Sequence, residues 1–581
     1  MERNLTAGEI GQLERQGCRA GDWNGVLVGD RFDPAKIWNC QFRGRVQIGN
    51  NVYIPNIGSY IANCIIEDDA YIENTGLIET TGESTFGNGV EVAAVNEAGG
   101  REVPIRDGLT AQTAYITAMY RHRRETVARL GEFTKAHCAQ VRSTMGVIGR
   151  GASVRGCNML LNVKVGPYAR LMGVSVVENG TLNSCREDPV VVGFGVKAHD
   201  FIAMPGARID NGTILKHCFV GEAVRLDNGF MAENSLFFAN CDCGSGEACS
   251  IFAGPYTVTH HRSSLLIAGL FSFFNAGSGT NQSNHLFKTG AVHQGIHQRG
   301  CKFASNAYAM LPAKDGAFTV VFGRHGSHYN TEYFPFSYLM DSEGKSYLLP
   351  GANLRCYGMV RDIAKWPKRD RRKGPKADLI NFREHTPYLA ERVVKALEIS
   401  AQLLAREGQD TYNYERMRIK QSMLRRGVQL YRLALDSSLG AILDETRGAE
   451  PDRTGEGTWV DMAGMYAPRA AVDALLDEVD EGKIASAAEL DNRLREIHDR
   501  YPQYARGWAL HTLAGLLQHE PTEADLETAV RKGTEAAAAL RAMTDEDAQR
   551  DREGVMNTGY GIDALTPEEI DADFAAVKEC H

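Results

Sequence analysis

The sequence predicts a β-solenoid that carries a helical insertion and is followed by an all-α C-terminal domain. Short hexads that begin with an aliphatic residue recur from Ile48 onward, one helical pattern interrupts them, and long amphipathic patterns begin after Arg355. Because 581 residues are more than one ordinary hydrophobic core supports, we expect several domains.

Each hexad has an aliphatic residue followed by a small or acidic one, with a small or β-branched residue at the fifth place. The hexads are IGNNVY from Ile48, IEDDAY from Ile66, IGRGAS from Ile148, VGPYAR from Val165, VGFGVK from Val192 and VGEAVR from Val220. In a coil with three flat faces of about six residues each, this period points one aliphatic side chain per face inward. We therefore expect Ile66, Ile72 and Ile78 to stack on their counterparts in the next turn, with glycines at the corners.

The hexads resemble those of the hexapeptide-repeat superfamily, whose fold is a left-handed parallel β-helix. That superfamily includes acyltransferases, often trimeric, and the C-terminal domains of sugar-phosphate nucleotidyltransferases. The later stretches FAGPYTVTHHRSSLLIAG, GSGTNQSNH and RDIAKWPKRDRR also look similar to an uncharacterised bacterial family labelled as related to nucleotide-sugar pyrophosphorylases. These resemblances imply a fold, and they bring no established catalytic residues.

Changes of pattern along the chain predict six segments. They are an N-terminal cap at 1–40, the first part of the β-helix at 41–98, a helical insertion at 99–143, the second part of the β-helix with the candidate site at 144–360, a basic linker at 361–377 and a helical domain at 378–581. In the insertion, Ile116, Met119, Tyr120, Val127 and Leu130 fall on one helical face.

Composition excludes several classes of protein. A net charge of -9 argues against a general nucleic-acid binder, which needs a basic face. The longest apolar run, from Ser264, is too short to span a bilayer. No basic region followed by an apolar segment opens the chain, and thirteen scattered cysteines suit reduced thiols. We therefore expect a cytoplasmic protein without a membrane partner.

A long stretch without acids marks the candidate site. No Asp or Glu occurs between Glu247 and Asp315, although the chain contains 73 acids. If the cations of this stretch converge, they create a positive potential that suits an anionic, carbohydrate-derived small molecule. The candidate ligand-binding residues are Arg262, Asn284, Lys288, Arg299, Lys302, Arg324 and His325.

Histidines in the same stretch predict acid/base chemistry. An imidazole titrates near neutral pH, so His260, His285 or His293 could deprotonate a sugar hydroxyl. The resemblance to acyltransferases implies a transferase with acyl-CoA as the candidate donor. Homo-oligomerisation, with a trimer favoured, is implied in the same way.

Three alternatives stay open at this point. His293 and His297 are four residues apart and could hold a divalent metal, as histidines do in carbonic-anhydrase-like β-helix enzymes. A non-catalytic binding or scaffold protein would use the same anionic site without turnover. A sugar-phosphate nucleotidyltransferase is less favoured, because no glycine-rich nucleotide-binding unit opens the chain.

Overall fold

The computed structural model describes residues 2–283, 294–553 and 559–579. Up to Leu349 the chain forms a β region whose strands are mostly parallel, and the C-terminal remainder is mainly helical. A large β region followed by a helical region is therefore confirmed as the architecture.

Two sheets make up most of the β region. Within the described residues the large sheet has 18 strands: Glu2–Asn4, Arg19–Ala20, Val26–Gly29, Gln41–Ile48, Ile57–Ile66, Thr75–Glu79, Gly146–Ile148, Met159–Val165, Val176–Leu182, Lys197–Ala203, Ile214–Val220, Met231–Phe237, Glu247–Cys249, Phe252–Ala253, Leu265–Ile267, Gly269–Phe271, Gly295–His297 and Ala313–Asp315. The second sheet contains Tyr71–Glu73, Ser153–Arg155, Arg170–Met172, Val191–Val192, Arg208–Ile209, Arg225–Leu226, Asp242–Cys243, Val258–Thr259, Asn275–Ala276, Lys302–Phe303, Val320–Phe322, Tyr338–Ser342, Lys345–Leu349, Thr411–Tyr414 and Met417–Lys420.

Shorter ladders complete the strands. A third sheet contains Asn281–Ser283, Tyr308–Met310 and Arg324–His325, and the remaining pairs are Ile37–Trp38 with Ile54–Pro55, Glu91–Ala93 with Glu102–Pro104, and Trp459–Met462 with Met465–Pro468.

Aliphatic side chains stack between parallel strands in the core of the β region. The stacked pairs are Ile66 with Ile148, Ile72 with Val154, and Ile78 with Leu160. All six residues are buried, and full burial of such a side chain stabilises the fold by about 1.5–3 kcal/mol. The chain leaves this stack after Thr75–Glu79 and rejoins it at Gly146–Ile148, so the intervening segment does not interrupt the core.

The assignment to a left-handed β-helix with a hexapeptide repeat is wrong. Val154 pairs with Leu171, whereas Leu171 pairs with Val192, so the spacing changes from one pair to the next and no fixed six-residue period is kept. The reason is physical: buried aliphatic contacts fix which residues pair, while the loops between them vary freely in length.

Asparagines form the corners at one edge of the β region, where we expected glycines. Asn39, Asn56 and Asn74 all have positive φ, between 48° and 59°. Asn39 Nδ2 donates to Asn56 Oδ1 at 2.8 Å, and Asn56 Nδ2 donates to Asn74 Oδ1 at 3.3 Å. Asparagine tolerates this left-handed conformation and adds a side-chain ladder that glycine cannot supply.

The helices begin at the N-terminus and predominate after the β region. Within the described residues they are α1 Ala7–Arg15, α2 Ala111–Met119, α3 Arg124–Val141, α4 Tyr357–Lys368, α5 Pro387–Leu404, α6 Gln421–Glu445, α7 Arg469–Asp480, α8 Ala487–Asp499, α9 Tyr501–Leu517, α10 Glu523–Glu553 and α11 Pro567–Glu579. None of the helices in the described ranges combines the length and the apolar character needed to cross a membrane.

Helices α2 and α3 pack against the C-terminal helices. Arg123 Nη1 lies 2.8 Å from the Asp477 carboxylate of α7, and the Thr126 hydroxyl donates to Asp480 at 2.5 Å. The Thr113 hydroxyl of α2 donates to Asp491 of α8 at 2.9 Å. These contacts tie the inserted helices to the helical region across more than 350 residues of sequence.

The basic segment that we predicted as a linker is largely structured. Its first residues lie in α4, because Ile363 and Trp366 are apolar residues three positions apart and pack on the β region. We call residues 369–382, which follow α4, the strap. Arg372 of the strap is only 3% exposed and forms ion pairs with Asp370 at 2.9 Å and Glu222 at 3.2 Å.

Asp378 anchors the end of the strap. Its carboxylate accepts a hydrogen bond from the N–H of Ala111, at the start of α2, at 2.7 Å and another from Ala239 at 2.8 Å. Burial, and then repulsion from Glu222, raise the pKa of Asp378 to about 7. The strap therefore joins the β region to the inserted helices through buried polar groups.

Candidate functional site

A groove of 280 Å³ lies where helix α4 and the strap face the second sheet. The strands Val258–Thr259, Asn275–Ala276, Lys302–Phe303 and Val320–Phe322 contribute to its floor. We call this space the groove. It brings together residues that are far apart in sequence, which is the property expected of a binding site.

Aromatic packing holds α4 over the sheet. Phe273 is the centre of this packing, with its ring centroid 4.6 Å from Trp366 of α4 and 5.2 Å from Tyr256. Trp366 also contacts Phe318 at 6.1 Å. The rings give the groove a flat apolar wall of fixed shape.

Tyr256 places an unpaired hydroxyl in this wall. Its side chain is buried, and its Oη has no hydrogen-bond partner among the described residues. Burial raises the pKa of the phenol, so the hydroxyl stays protonated at neutral pH. A buried hydroxyl without a partner costs free energy, and a ligand or water is the usual explanation.

The charges of the groove do not balance. Arg371 pairs with Asp242 at 3.1 Å, and Lys302 pairs with Asp362. Lys365 and Arg369 also line the groove, and in the described part of the chain neither side chain forms a hydrogen bond or an ion pair. Two positive charges of the groove are thus left without an ion pair.

The pKa of Lys365 is lowered, in part because other cations lie nearby. Burial lowers it first, repulsion from Arg361 and Arg369 lowers it further, and the nearby carboxylate of Asp362 offsets these effects only in part. A neighbouring anion would have the opposite effect, because an opposite charge favours the protonated amine. The electrostatics of the groove therefore favour an anionic ligand.

The acid-free stretch does not remain unneutralised in the fold. Carboxylates from elsewhere in the chain pair with its cations, Arg299 with Asp461 at 2.8 Å, Lys302 with Asp362, and Lys314 with Glu332 at 2.5 Å, and the His297 ring faces Asp315 at 2.5 Å. Several cations of this stretch are thus neutralised by carboxylates that lie outside it in the sequence.

Arg299 lies inside the protein, where its guanidinium is 4.2 Å from the Phe273 ring centroid, and it does not line the groove itself. Its side chain is 1% exposed and donates to Asp461 and to the carbonyl oxygens of Asn381 and Gly464, both at 2.7 Å. Its guanidinium also lies 4.1 Å from the ring centroid of Tyr466. With its donors used in this way, Arg299 joins the β region to the hairpin Trp459–Pro468.

Two of the histidines that we predicted as site residues, His297 and His325, are buried in the protein interior. His297 Nδ1 faces Asp315 at 2.5 Å and its Nε2 faces Gln282 at 2.8 Å. The His325 Nε2–H donates to the Phe322 carbonyl at 3.2 Å, and burial lowers the pKa of this imidazole. Both imidazoles use both ring nitrogens within the protein.

The metal alternative has limited support from these contacts. His293 lies outside the described residues, and its proposed partner His297 has no free nitrogen. Burial raises the pKa of the Cys241 thiol to about 12 and also raises that of Cys243, which disfavours thiolate ligands. Among the described residues no three His, Cys, Asp or Glu side chains are grouped to hold a metal.

The other predicted site residues fall into three groups: those that line the groove, those that lie elsewhere, and those outside the described residues. His260 and Lys302 both line the groove. Arg262 lies on an exposed turn and Arg324 lies over the Tyr308 ring at 4.9 Å, and neither lines the groove. Asn284, His285, Lys288 and His293 lie outside the described residues.

Sequence reasoning missed Lys365, Arg369, Trp366 and Tyr256 as members of the site. The basic run from Arg361 was visible, but we interpreted it as a linker because Trp366 is its one aromatic residue. The available signal was the helical spacing of Ile363 and Trp366 beside two cations.

Comparison with known proteins places the chain in a family. Residues 2–52 and 45–404 match the family described as Domain of unknown function (DUF4954), and residues 445–580 match Domain of unknown function (DUF6819). The chain is also 23% identical to an uncharacterized protein of Treponema pallidum (strain Nichols), with 90% of this chain and 83% of that protein covered. The resemblances that we drew from the sequence, to the hexapeptide-repeat superfamily and to the pyrophosphorylase-related family, are therefore wrong. The chain belongs to the family Domain of unknown function (DUF4954).

Proposed function

We propose that the groove binds a small anionic sugar derivative, with a sugar phosphate as the first candidate. The observation that carries this proposal is the pair of uncompensated cations, Lys365 and Arg369, beside a cavity of 280 Å³. An arginine fork and a lysine ammonium together suit a phosphate, which accepts several charge-assisted hydrogen bonds.

The remaining walls suit the sugar part of such a ligand. Phe273 and Trp366 offer flat apolar surface, while the Tyr256 hydroxyl and the Asn275 amide can bond hydroxyl groups. A volume of this size fits a monosaccharide phosphate better than a polymer.

The catalytic form of the proposal is group transfer to a ligand hydroxyl, with His260 as general base. Among the described residues, His260 is the histidine that lines the groove, and it is exposed, so solvent can exchange its proton. The donor, for which acyl-CoA is a candidate, has no assigned place in the groove. A binding protein without turnover is the alternative form of the same proposal.

Isothermal titration calorimetry of the full chain tests the binding step. Glucose 1-phosphate, glucuronate and inorganic phosphate are the probes, and Lys365→Ala/Arg369→Ala is the variant. Loss of each charge-assisted hydrogen bond should weaken binding by about 1.5–3 kcal/mol. Lys368→Ala is the matched control, because Lys368 is an exposed lysine of the same helix that does not line the groove.

The proposal fails if none of these anions binds, or if the double variant binds them as tightly as Lys368→Ala does. If inorganic phosphate binds as tightly as the sugar compounds do, the groove is an anion site, and the proposal that it recognises a sugar is wrong.

His260→Gln separates the enzyme from the binding protein. For an enzyme, turnover should fall by about a hundredfold or more while the affinity for the sugar phosphate stays nearly unchanged. His261→Gln is the control, because His261 is the exposed neighbour and does not line the groove. Equal turnover of both variants would remove His260 from the mechanism.

We also propose that the parallel strands form successive turns of a solenoid. The stacked aliphatic pairs and the parallel pairing of neighbouring turns support this arrangement. Homo-oligomerisation stays a prediction, and sedimentation equilibrium that shows only a 63.8 kDa species would reject it.

A further inference from the structure

A second cavity, of 210 Å³, lies at the junction of three parts of the molecule. The large sheet forms one side, α2 of the inserted helices a second, and α5 with the hairpin Trp459–Pro468 a third. We call it the junction cavity. It is separate from the groove, with which it shares no lining residue.

Arginine and lysine side chains line this cavity at three positions in the described chain, and two of them are neutralised by carboxylates. Arg299 pairs with Asp461 at 2.8 Å, and Lys314 pairs with Glu332 at 2.5 Å. Arg392 of α5 lines the cavity and forms no ion pair with a carboxylate among the described residues. The lining of the junction cavity therefore carries one positive charge that none of the lining carboxylates pairs with.

Arg392 is held in place without using all its donors. Its Nη1 donates to the Tyr388 carbonyl at 3.0 Å, and its guanidinium lies 3.5 Å from the centroid of the Tyr388 ring. Its Nε is buried and has no hydrogen-bond partner among the described residues. Glu391, its neighbour in sequence, accepts from the Trp459 N–H and does not line the cavity; burial raises the pKa of Glu391, and the charge of Arg392 lowers it in part.

Ser272 provides an independent second observation. It lines the same cavity and is only 7% exposed, and within the described ranges its Oγ has no partner. Two unsatisfied buried donors on the walls of one cavity indicate an occupant, because native proteins rarely leave such groups unpaired.

The other walls define the chemistry of the occupant. Burial raises the pKa of the Tyr115 and Tyr388 phenols, so both remain hydrogen-bond donors at neutral pH. Apolar surface comes from Met119, Leu270 and Ile296. The volume is that of about seven waters, which fits a small organic acid.

We propose that the junction cavity binds a small monocarboxylate, whose charge pairs with Arg392 and whose body lies against the apolar walls. The carboxylate accepts hydrogen bonds from Arg392 Nε and from the Ser272 hydroxyl. Such a ligand stabilises the junction, because anything that binds only the folded chain shifts the unfolding equilibrium. This site does not depend on the function proposed for the groove.

Calorimetry and thermal denaturation of the full chain with benzoate and butyrate test the proposal, and benzyl alcohol and butanamide are the neutral counterparts. The acids should raise the midpoint of unfolding more than their counterparts do. Arg392→Met should weaken binding of the acids by about tenfold to a hundredfold. Lys395→Met, an exposed position of the same helix, is the control and should bind as the wild type does.

Ser272→Ala keeps the proposal testable if Arg392→Met does not fold. It should weaken binding of the acids severalfold without lowering the midpoint of the free protein, because an unpartnered hydroxyl contributes no hydrogen bond to lose. A lowered midpoint with unchanged affinity would mean that Ser272 is structural, and it would overturn its assignment.

The proposal is overturned if the acids stabilise the protein no more than their neutral counterparts at millimolar concentration. It is also overturned if Arg392→Met and Ser272→Ala both bind them normally, which would leave water as the occupant. The groove variant Lys365→Ala/Arg369→Ala should still bind the acids. If it does not, the acids bind in the groove and not in the junction cavity.

Discussion

The groove and the junction cavity lie on either side of the same short turn of chain. The charged side chains of this turn differ in burial and pairing between the two sides. Gln298 and Arg299 line the junction cavity, whereas Gly300 and Lys302 line the groove. Arg299 is buried and fully paired, while Lys302 remains part-exposed in an ion pair near two unpaired cations. The same local sequence thus supplies a structural ion pair on one side and part of the proposed binding surface on the other.

What packs over each side explains the difference. The hairpin Trp459–Pro468 covers Arg299 and brings Asp461 with it, so a charge that would be costly to bury is neutralised. Over the groove, α4 brings a single carboxylate, Asp362, together with Lys365. The covering elements decide which cations remain available for a ligand.

The largest effect is expected on the junction side. Arg299→Ala leaves Asp461 buried without its partner, so the free energy of unfolding should fall by about 3–5 kcal/mol. Urea denaturation measures it. Arg262→Ala, at an exposed turn, is the matched control and should stay within about 0.5 kcal/mol of the wild type. A loss below about 1 kcal/mol for Arg299→Ala would contradict the contrast between the two sides.

The strap, which borders the groove, should respond to pH through Asp378. Its carboxyl has a pKa of about 7 in the folded chain against an ordinary value of 3.8, so the folded state binds more protons between pH 4 and 7. Stability should therefore fall as pH rises through this window, by up to about 1.4 kcal/mol per pH unit, and level off above pH 7.

Asp378→Asn should remove this slope, which urea denaturation at several pH values would show. Glu222 and Arg372 also lie against Asp378, so Glu222→Gln is measured beside it. A slope that persists in Asp378→Asn would assign the titration to another group.

A smaller effect is expected for Lys302 on the groove side. Its ion pair with Asp362 is 20–29% exposed, and pairs of this kind contribute about 1 kcal/mol or less. Lys302→Ala should therefore leave the urea midpoint nearly unchanged, in contrast to Arg299→Ala. A loss as large as that of Arg299→Ala would show that the two cations have the same structural role.

The smallest effect is a change of affinity with pH in the groove. Because the pKa of Lys365 lies below the ordinary 10.5, affinity for glucose 1-phosphate should begin to decline at a lower pH than an ordinary lysine would give. Calorimetry between pH 7 and the alkaline range measures the decline. Lys365→Arg keeps its charge throughout, so its affinity should stay constant there. Identical profiles for both proteins would exclude Lys365 from the site.

The core of the β region was predictable because its signal is local. Aliphatic residues at regular positions of an extended chain point to the same side, and Ile66, Ile72 and Ile78 do stack on aliphatic residues of a neighbouring strand, as expected. Ile116, Tyr120 and Leu130 of the predicted helical face are buried, but the face is divided between α2 and α3, and Met119 and Val127 are only partly buried. The period of the turns was not predictable, since loop lengths follow no local rule.

The candidate site was predictable only in part. His260 and Lys302 were chosen from the sequence and do line the groove. Lys365 and Arg369 were visible as charges, but their place in the groove depends on how α4 packs. Arg299 is buried in an ion pair whereas these two side chains are not, because a carboxylate distant in sequence, Asp461, packs against Arg299.

The sequence by itself determined that this protein has a β region with stacked aliphatic residues and a helical C-terminal region, because side-chain periodicity acts over a few residues. It also showed a long stretch of cations without acids. Only the tertiary structure decided which of those cations meet carboxylates, since Asp461 and Asp362 arrive from other elements and a buried charge must be paired wherever its partner comes from.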